Sequence, residues 1–369
     1  MRRPTREDVA REAGTSTAVV TYVLNAGPRP VAPETRRRVL EAIKKVNYRP
    51  NRVAQALASG KTGTVGLVVP NITNPFIGEI AHTIESLAFS SRRVLLVGDS
   101  ADDRNREREL IANFLSQQVD GVIYMGVIEE LALDLFDDVA TPVVVFTWAD
   151  SDGRCPSVRI DERRAVAALT DHLLYHGYTD IAMMTGPSHM RNSELRRDGW
   201  RDAMSAAELE ASDDAVSYVP YSRFAAYSWA MEKVKSGRLP RALVTGNERQ
   251  AVGILAALAD CGVRVPDEVA IAALNGSADA GFAVPSLTSI RQPFAEMAQT
   301  AFEMLDHPDD YPPQGVTFGF DLVVGQSCGC FDERRPDRTM TASWTTPDAS
   351  SLDSAAGMGP VDHRPKKGA

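Results

Sequence analysis

The residues with the clearest chemistry are the cations of the first 61 positions, where 13 Lys/Arg stand against 5 Asp/Glu. Positive side chains at this density displace the counterions of a phosphate backbone and give a segment generic affinity for nucleic acid. That +8 within a 369-residue chain of net charge −9 leaves −17 on residues 62–369. So sharp a split assigns one part to a polyanion and the rest to other work. Other chemistry is thin. Cys155, Cys261, Cys328 and Cys330 show no zinc spacing, because Cys328-Gly329-Cys330 is too close and has no matching second pair. His172 and His176 stand at i, i+4 on one helical stretch and read as structural rather than metal-binding. No Walker loop, nucleophile elbow or paired-carboxylate motif argues for catalysis. No enzyme activity, metal or cofactor is therefore expected. Four cysteines and a start, Met1-Arg2-Arg3-Pro4, without the apolar core of an export signal fit a reducing cytoplasm. No stretch is apolar enough for a membrane span.

The basic segment also has the pattern of three short helices. Thr5-Arg6-Glu7-Asp8 can cap the first, Val9, Ala10 and Ala13 give it an apolar face, and Gly14 ends it. Ser16 can cap a second helix, Thr17 to Leu24, whose apolar residues are Val19, Val20, Val23 and Leu24. Asn25-Ala26-Gly27-Pro28 stops it, and Pro33 suits the first turn of a third, carrying Val39, Leu40, Ile43 and Val46. Two short helices around a Gly turn form either a helix-turn-helix or an ordinary helical hairpin. The surrounding charge favours the first, whose second helix can enter a major groove.

Asp8-Val9-Ala10, Ala13-Gly14, Ser16, Val23-Leu24-Asn25, Thr35-Arg36 and Asn47-Tyr48-Arg49-Pro50-Asn51 resemble the DNA-binding head of the LacI/GalR (lactose-repressor) family of transcriptional regulators. Asn51 to Ala58 resembles that family's hinge helix, and the resemblance runs to about Cys330. It implies that Thr17, Ala18 and Tyr22 meet base edges, while Ser16, Thr21, Asn25 and Thr35 meet phosphates. Thr5, with Asn51, Ala54, Leu57 and Ala58 of the hinge, completes the expected DNA-contacting set. Tyr22 stands where family members often have Arg, which removes a bidentate guanine contact; packing against the third helix is its other reading. Leu57 is the expected minor-groove wedge, since eight residues are too few for a helix stable alone and the family's hinge helices form in pairs on DNA. A buried linker contact is the bland alternative.

From Thr64 apolar runs alternate with amphipathic helices. Thr64–Val69, Val94–Val97, Val122–Met125 and Val143–Phe146 form one series of strands, with helices from Pro75 to Ser91 and around Arg104 to Gln118. Ile181–Met184, Ala242–Thr245 and Val269–Ala273 form a second. Such runs imply parallel sheets covered on both faces, and about 270 residues exceed one sheet, so two α/β lobes are expected. The fold class is thus α/β: a three-helix head (1–49), a hinge (50–61) and a two-lobed body (62–330) resembling periplasmic binding proteins. Residues 331–369 are too poor in large apolar side chains to order themselves.

The resemblance also implies a ligand site between the lobes, beyond the carboxyl ends of the strands. It points to Asn74, Phe76, Arg196, Tyr221, Asn247, Gln292 and Phe294, and more weakly to Asp161. Each polar member could instead be a plain strand-end cap. Asn275, in Ala273-Leu274-Asn275, stands where the family often has Asp, and an amide accepts more weakly than a carboxylate. Glu248 after Asn247, Thr147-Trp148 and Gly177-Tyr178 are further departures. A carbohydrate is the leading effector class, with a changed or absent effector still open. The expected partners are a pseudo-palindromic double-stranded operator, a small-molecule effector and a second copy of the chain, with no membrane. Repression under allosteric control is what the resemblance implies; a solute-binding protein or an α/β enzyme would explain the body but neither the basic head nor the hinge.

Overall fold

The computed structural model describes residues 4–25, 30–49, 56, 60–126, 132–137, 139–147, 155–312 and 314–330. The expectations for Asn51, Ala54, Leu57 and Ala58, and for the tail from residue 331, lie outside the described residues.

Local signals build the head. Thr5 and Asp8 form a reciprocal cap, with Asp8 Oδ2 accepting from Thr5 N at 2.8 Å, and α1 runs Arg6–Ala13. Gly14 ends it at φ +59°, a left-handed conformation that glycine adopts without Cβ strain. Ser16 Oγ accepts from Val19 N, which starts α2, Thr17–Asn25. Pro33 opens α3, Pro33–Lys45. The three helices close on Val9, Ala10, Ala13, Val20, Val23, Val39, Ala42 and Tyr48. Leu40, expected on the apolar face of α3, is 44% exposed; Ala42 takes the buried position instead.

The body holds two six-stranded sheets. The first, ordered β2-β1-β3-β4-β5-β11, is wholly parallel and comprises β1 (Thr64–Val69), β2 (Val94–Asp99), β3 (Gly121–Tyr124), β4 (Val143–Phe146), β5 (Ser157–Ile160) and β11 (Val316–Phe318). The second, ordered β7-β6-β8-β9-β10-β12, comprises β6 (Ile181–Thr185), β7 (Val216–Tyr218), β8 (Ala242–Thr245), β9 (Ala270–Ala273), β10 (Thr288–Arg291) and β12 (Asp321–Val323). Only β12 is antiparallel there, to β10. Helices α4 (Pro75–Ser90), α5 (Arg104–Ser116) and α10 (Phe294–Asp306) cover the first sheet. The second is covered by α6 (Glu162–Tyr175), α7 (Arg191–Ala206), α8 (Arg223–Ser236) and α9 (Glu248–Asp260).

The chain crosses between lobes three times, after β5, after β10 and after β11. One apolar core continues through these crossovers, joining Val65, Leu67 and Ile123 to Ile181, Trp200 and Val244 by way of α6 and α10. The middle strands are buried on both faces, as doubly covered parallel strands must be. Among the described residues no helix is long and apolar enough to cross a membrane.

Candidate functional site

Two surfaces carry the residues singled out in the sequence. On the head, packing fixes which face of α2 is free. Val20 and Val23 turn into the core, which leaves Thr17 and Ala18 exposed and Tyr22 half-buried on the outer side. Tyr22 is not part of the core formed with α3. Ser16 is exposed at the start of α2, Thr21 is half-buried with Oγ1 donating to Thr17 O at 2.9 Å, and Thr35 is half-buried on α3. Thr5 uses its hydroxyl in the α1 cap. Asn25 closes α2. On α3 and just after it Arg36, Arg38, Lys44 and Arg49 are exposed, while Arg37 is engaged by Glu34 and Glu41 and Lys45 by Glu12. Small polar side chains on an exposed helix face, in a head with several exposed cations, suit a duplex groove and its phosphates.

The second surface is a cleft of about 390 Å³ between the lobes. Its walls come from the carboxyl ends of the parallel strands: Asn71 and Asn74 after β1, Asp102 after β2, Met125 at β3, Thr147 after β4. From the other lobe come Met190 and Asn192 after β6, Tyr221 after β7, Asn247 after β8 and Asn275 after β9. Of the expected ligand residues, Asn74, Phe76, Arg196, Tyr221, Asn247 and Asn275 line it. Asn74 and Asn247 also cap helices, their Oδ1 atoms accepting from Phe76 N and Gln250 N. Capping uses the carbonyl oxygen and leaves the amide nitrogen as the group for a ligand.

Asp161, Gln292 and Phe294 do not line this cleft. Asp161 caps α6 through Arg164 N and borders a smaller neighbouring cavity. Gln292 Nε2 donates to Asn275 Oδ1 at 2.7 Å, holding that amide, which sits at φ +58°. Phe294 meets Phe76 edge-on, with ring centroids 5.1 Å apart, and so fixes the aromatic wall from behind.

Of the charged residues of the cleft, Asp102, Glu162 and Arg249 were not singled out in the sequence, and Glu248 only as a departure from the family pattern. Glu162 and Glu248 each sit in a helix first turn, where acidic residues are ordinary because they complement the helix dipole. Their position immediately after a cap at a strand's carboxyl end was the available signal. Glu162 grips Arg196 in a fork, with Nη2 to Oε1 at 2.6 Å and Nε to Oε2 at 3.0 Å, and Arg196 Nη1 donates to Gly246 O at 2.9 Å. The guanidinium also lies over the Tyr221 ring, 5.0 Å from its centroid. Burial is the largest single influence on Arg196 and lowers its pKa, yet the charges and hydrogen bonds of Glu162 and Tyr221 together outweigh it and the net shift is upward. The pairing depends on a close approach of α6 and α7 at Gly199, where an added Cβ would stand 2.1 Å from Arg163 O. Arg249 has its Nε buried without a protein partner, and burial lowers its pKa.

Glu248 accepts from Ser277 N at 2.6 Å and Ser277 Oγ at 3.1 Å. Across the lobes, Glu79 on α4 accepts from Ala278 N at 3.2 Å. Burial raises the pKa of both carboxyls; donors from Ser277 and Ala278 oppose it, and Asp279 reinforces it. Arg291 pulls Glu79 back toward the charged form. Because the folded values lie above the ordinary 4.5, the folded state holds more protons than the unfolded chain between them. This contribution to stability therefore grows as pH falls from neutrality toward 4.5. Glu248→Gln is expected to flatten that trend in urea-unfolding midpoints, and an unchanged slope would count against this assignment.

Residues 5–51 match the model of bacterial regulatory proteins of the lacI family, and residues 170–328 match the periplasmic binding protein-like domain. Catabolite control protein A of Staphylococcus xylosus is 34% identical over 299 residues, covering 81% of this chain and 90% of that protein. The lac repressor dimer bound to operator and an anti-inducer superposes with TM-score 0.77 at 24% identity, covering 89% of this chain and 99% of that one, and shares the fold. The regulator CelR in complex with cellobiose gives TM-score 0.65 at 26% identity, covering 88% of this chain and 100% of the other.

Proposed function

The chain belongs to the lacI family of bacterial regulatory proteins, and from that premise we propose a sequence-specific, DNA-binding repressor whose operator affinity is set by a sugar or sugar derivative held between its lobes. The observation that carries this reading is the pairing, in one chain, of a cation-rich helix-turn-helix with a cleft of mixed amide, guanidinium, carboxylate and aromatic lining. Ring faces pack against Phe76 and Tyr221, and hydroxyls bond to Asn74, Asn247, Asn275 and Arg249. Arg249 Nε, buried without a partner, is the strongest pull on a ligand acceptor.

One head makes few contacts, so affinity comes from two heads on a pseudo-palindromic operator. The lac repressor in the structure above is a dimer on its operator. A homodimer of this chain is supported by exposed apolar side chains on both lobes: Phe89, Val94 and Val97 at the β2 edge of the first, and Phe224, Phe282 and Val284 on the second. Thr17, Ala18 and Tyr22 are assigned to base edges, Ser16, Thr21, Asn25 and Thr35 to phosphates, and Leu57 to the minor-groove wedge. Ligand and operator then alter each other's affinity by the same factor. The test is operator affinity of the full chain with and without sugars, sugar phosphates, nucleosides and amino acids. A change of about 5- to 150-fold with a sugar-class compound is expected. A response confined to nucleosides or amino acids, or none at all, would refute the ligand class while leaving DNA binding intact.

A further inference from the structure

Sequence spacing pointed away from a metal, because Cys328 and Cys330 have no second pair nearby in the chain. The fold supplies that pair from more than 150 residues away. His172, on the last turn of α6, and His176, its C-cap, project from one face with ring centroids 4.9 Å apart. Opposite them runs the segment that follows β12. His172 Nε2 lies 3.2 Å from Cys328 Sγ and 3.6 Å from Cys330 Sγ, and His176 Nε2 lies 2.9 Å from Cys330 Sγ. All four donor atoms fall within 4.8 Å of one another.

We propose that His172, His176, Cys328 and Cys330 form a structural zinc site that fastens the end of the folded body to α6. With Zn–S of about 2.3 Å and Zn–N of about 2.0–2.1 Å, a tetrahedron has donor separations of roughly 3.3–3.8 Å. The observed spacings bracket that range, so small side-chain adjustments suffice. Two sulfurs and two imidazoles form the donor set that zinc favours, and no carboxylate is among them to suit magnesium or calcium. Two thiolates would cancel the charge of the dication, which makes the partly buried position tolerable. Neither cysteine is in a disulfide.

The cysteine side of the site is held in place beforehand. Ser327 Oγ donates to Ile271 O at 2.6 Å and accepts from Thr288 N at 2.9 Å, while Ser327 O accepts from Ile271 N at 2.8 Å. Gly325 N donates to Thr288 Oγ1 at 2.9 Å. The segment just before the buried Cys328 is thus stitched to β9 and β10. Gly329 takes φ +95°, a left-handed turn that brings both flanking sulfurs to the helix. Four protein donors leave no open position, the mark of a structural rather than a catalytic zinc. The consequence reaches the cleft, since the same α6 begins with the Glu162 that orients Arg196.

The test uses full-length protein, reduced and stripped with chelator, titrated with cobalt(II) and then zinc. Tetrahedral visible bands with thiolate-to-cobalt charge transfer are expected at one metal per chain, bleached by stoichiometric zinc. His176→Gln and Cys330→Ser, both at partly exposed positions, should each weaken zinc by more than the roughly 100-fold that losing a hydrogen-bond partner behind a ligand costs. Absence of thiolate-to-cobalt absorption in the wild-type chain would overturn the proposal, whatever the variants do. So would zinc affinity unmoved in a folded His176→Gln protein.

Discussion

Glu162→Ala is expected to lower the unfolding free energy by about 3–5 kcal/mol, the typical cost of stranding a buried charge. Arg196 is 4% exposed, and Glu162 supplies two of its three hydrogen bonds within the cleft wall. A guanidinium cannot shed its proton to relieve the loss, because its pKa stays above the accessible range. Only Gly246 O and the Tyr221 face would remain to it. Against a total stability of about 5–15 kcal/mol, this is a loss of about a fifth or more. Replacing both partners, as Glu162→Met with Arg196→Met, should cost far less than the single change, since no charge is then left behind. Urea unfolding of the three variants decides it. A loss below about 1 kcal/mol for Glu162→Ala would show that solvent reaches Arg196 and that the pair does not organise the cleft.

The second large effect lies on α2. Thr17→Ala and Tyr22→Ala remove hydroxyls from the outer face of a helix whose core residues, Val20 and Val23, are untouched. Thermal stability should therefore stay close to wild type. A good base contact contributes about 1–3 kcal/mol of discrimination, and a dimer loses it twice, so about 2–6 kcal/mol is at stake per substitution. At about 1.4 kcal/mol per tenfold, operator affinity should fall by roughly 30-fold to 10⁴-fold. Arg36→Ala, by contrast, should weaken specific and random duplexes alike and reduce the salt slope, as the loss of a phosphate contact does. Equal losses on both duplexes for Tyr22→Ala would place that side chain on the backbone instead of the bases.

The head was legible because its instructions are local. A reciprocal cap at Thr5 and Asp8, a left-handed turn at Gly14 and a cap at Ser16 each act within a few residues. The long apolar runs of β1, β4 and β8 were equally plain, since strands buried on both faces carry little else. Ser157–Ile160, Val216–Tyr218, Val316–Phe318 and Asp321–Val323 were not marked as strands, being three or four residues long and mixed in polarity. Thr288–Arg291 was not marked either, since Thr, Ser and Arg make three of its four residues polar although the strand is largely buried. In the cleft, Asp161 was read where Glu162 enters: neighbouring carboxylates on a cap and a first turn look alike until the helix direction is known. The His172–Cys330 cluster was invisible for a different reason. Its halves meet only because the chain returns to the second sheet at its end, and spacing along the sequence carries no record of that return.

Sequence-specific reading of a duplex by the basic head is the property on which the proposed regulation depends. Its most direct test selects sites from a random duplex library with the full-length protein and then compares the selected site with a scrambled one over a range of salt. A two-fold symmetric site bound at least about 10³-fold more tightly than the scrambled duplex at physiological salt is expected, with affinity falling steeply as salt rises. Selection of no common site, with both duplexes bound equally at every salt concentration, would contradict it.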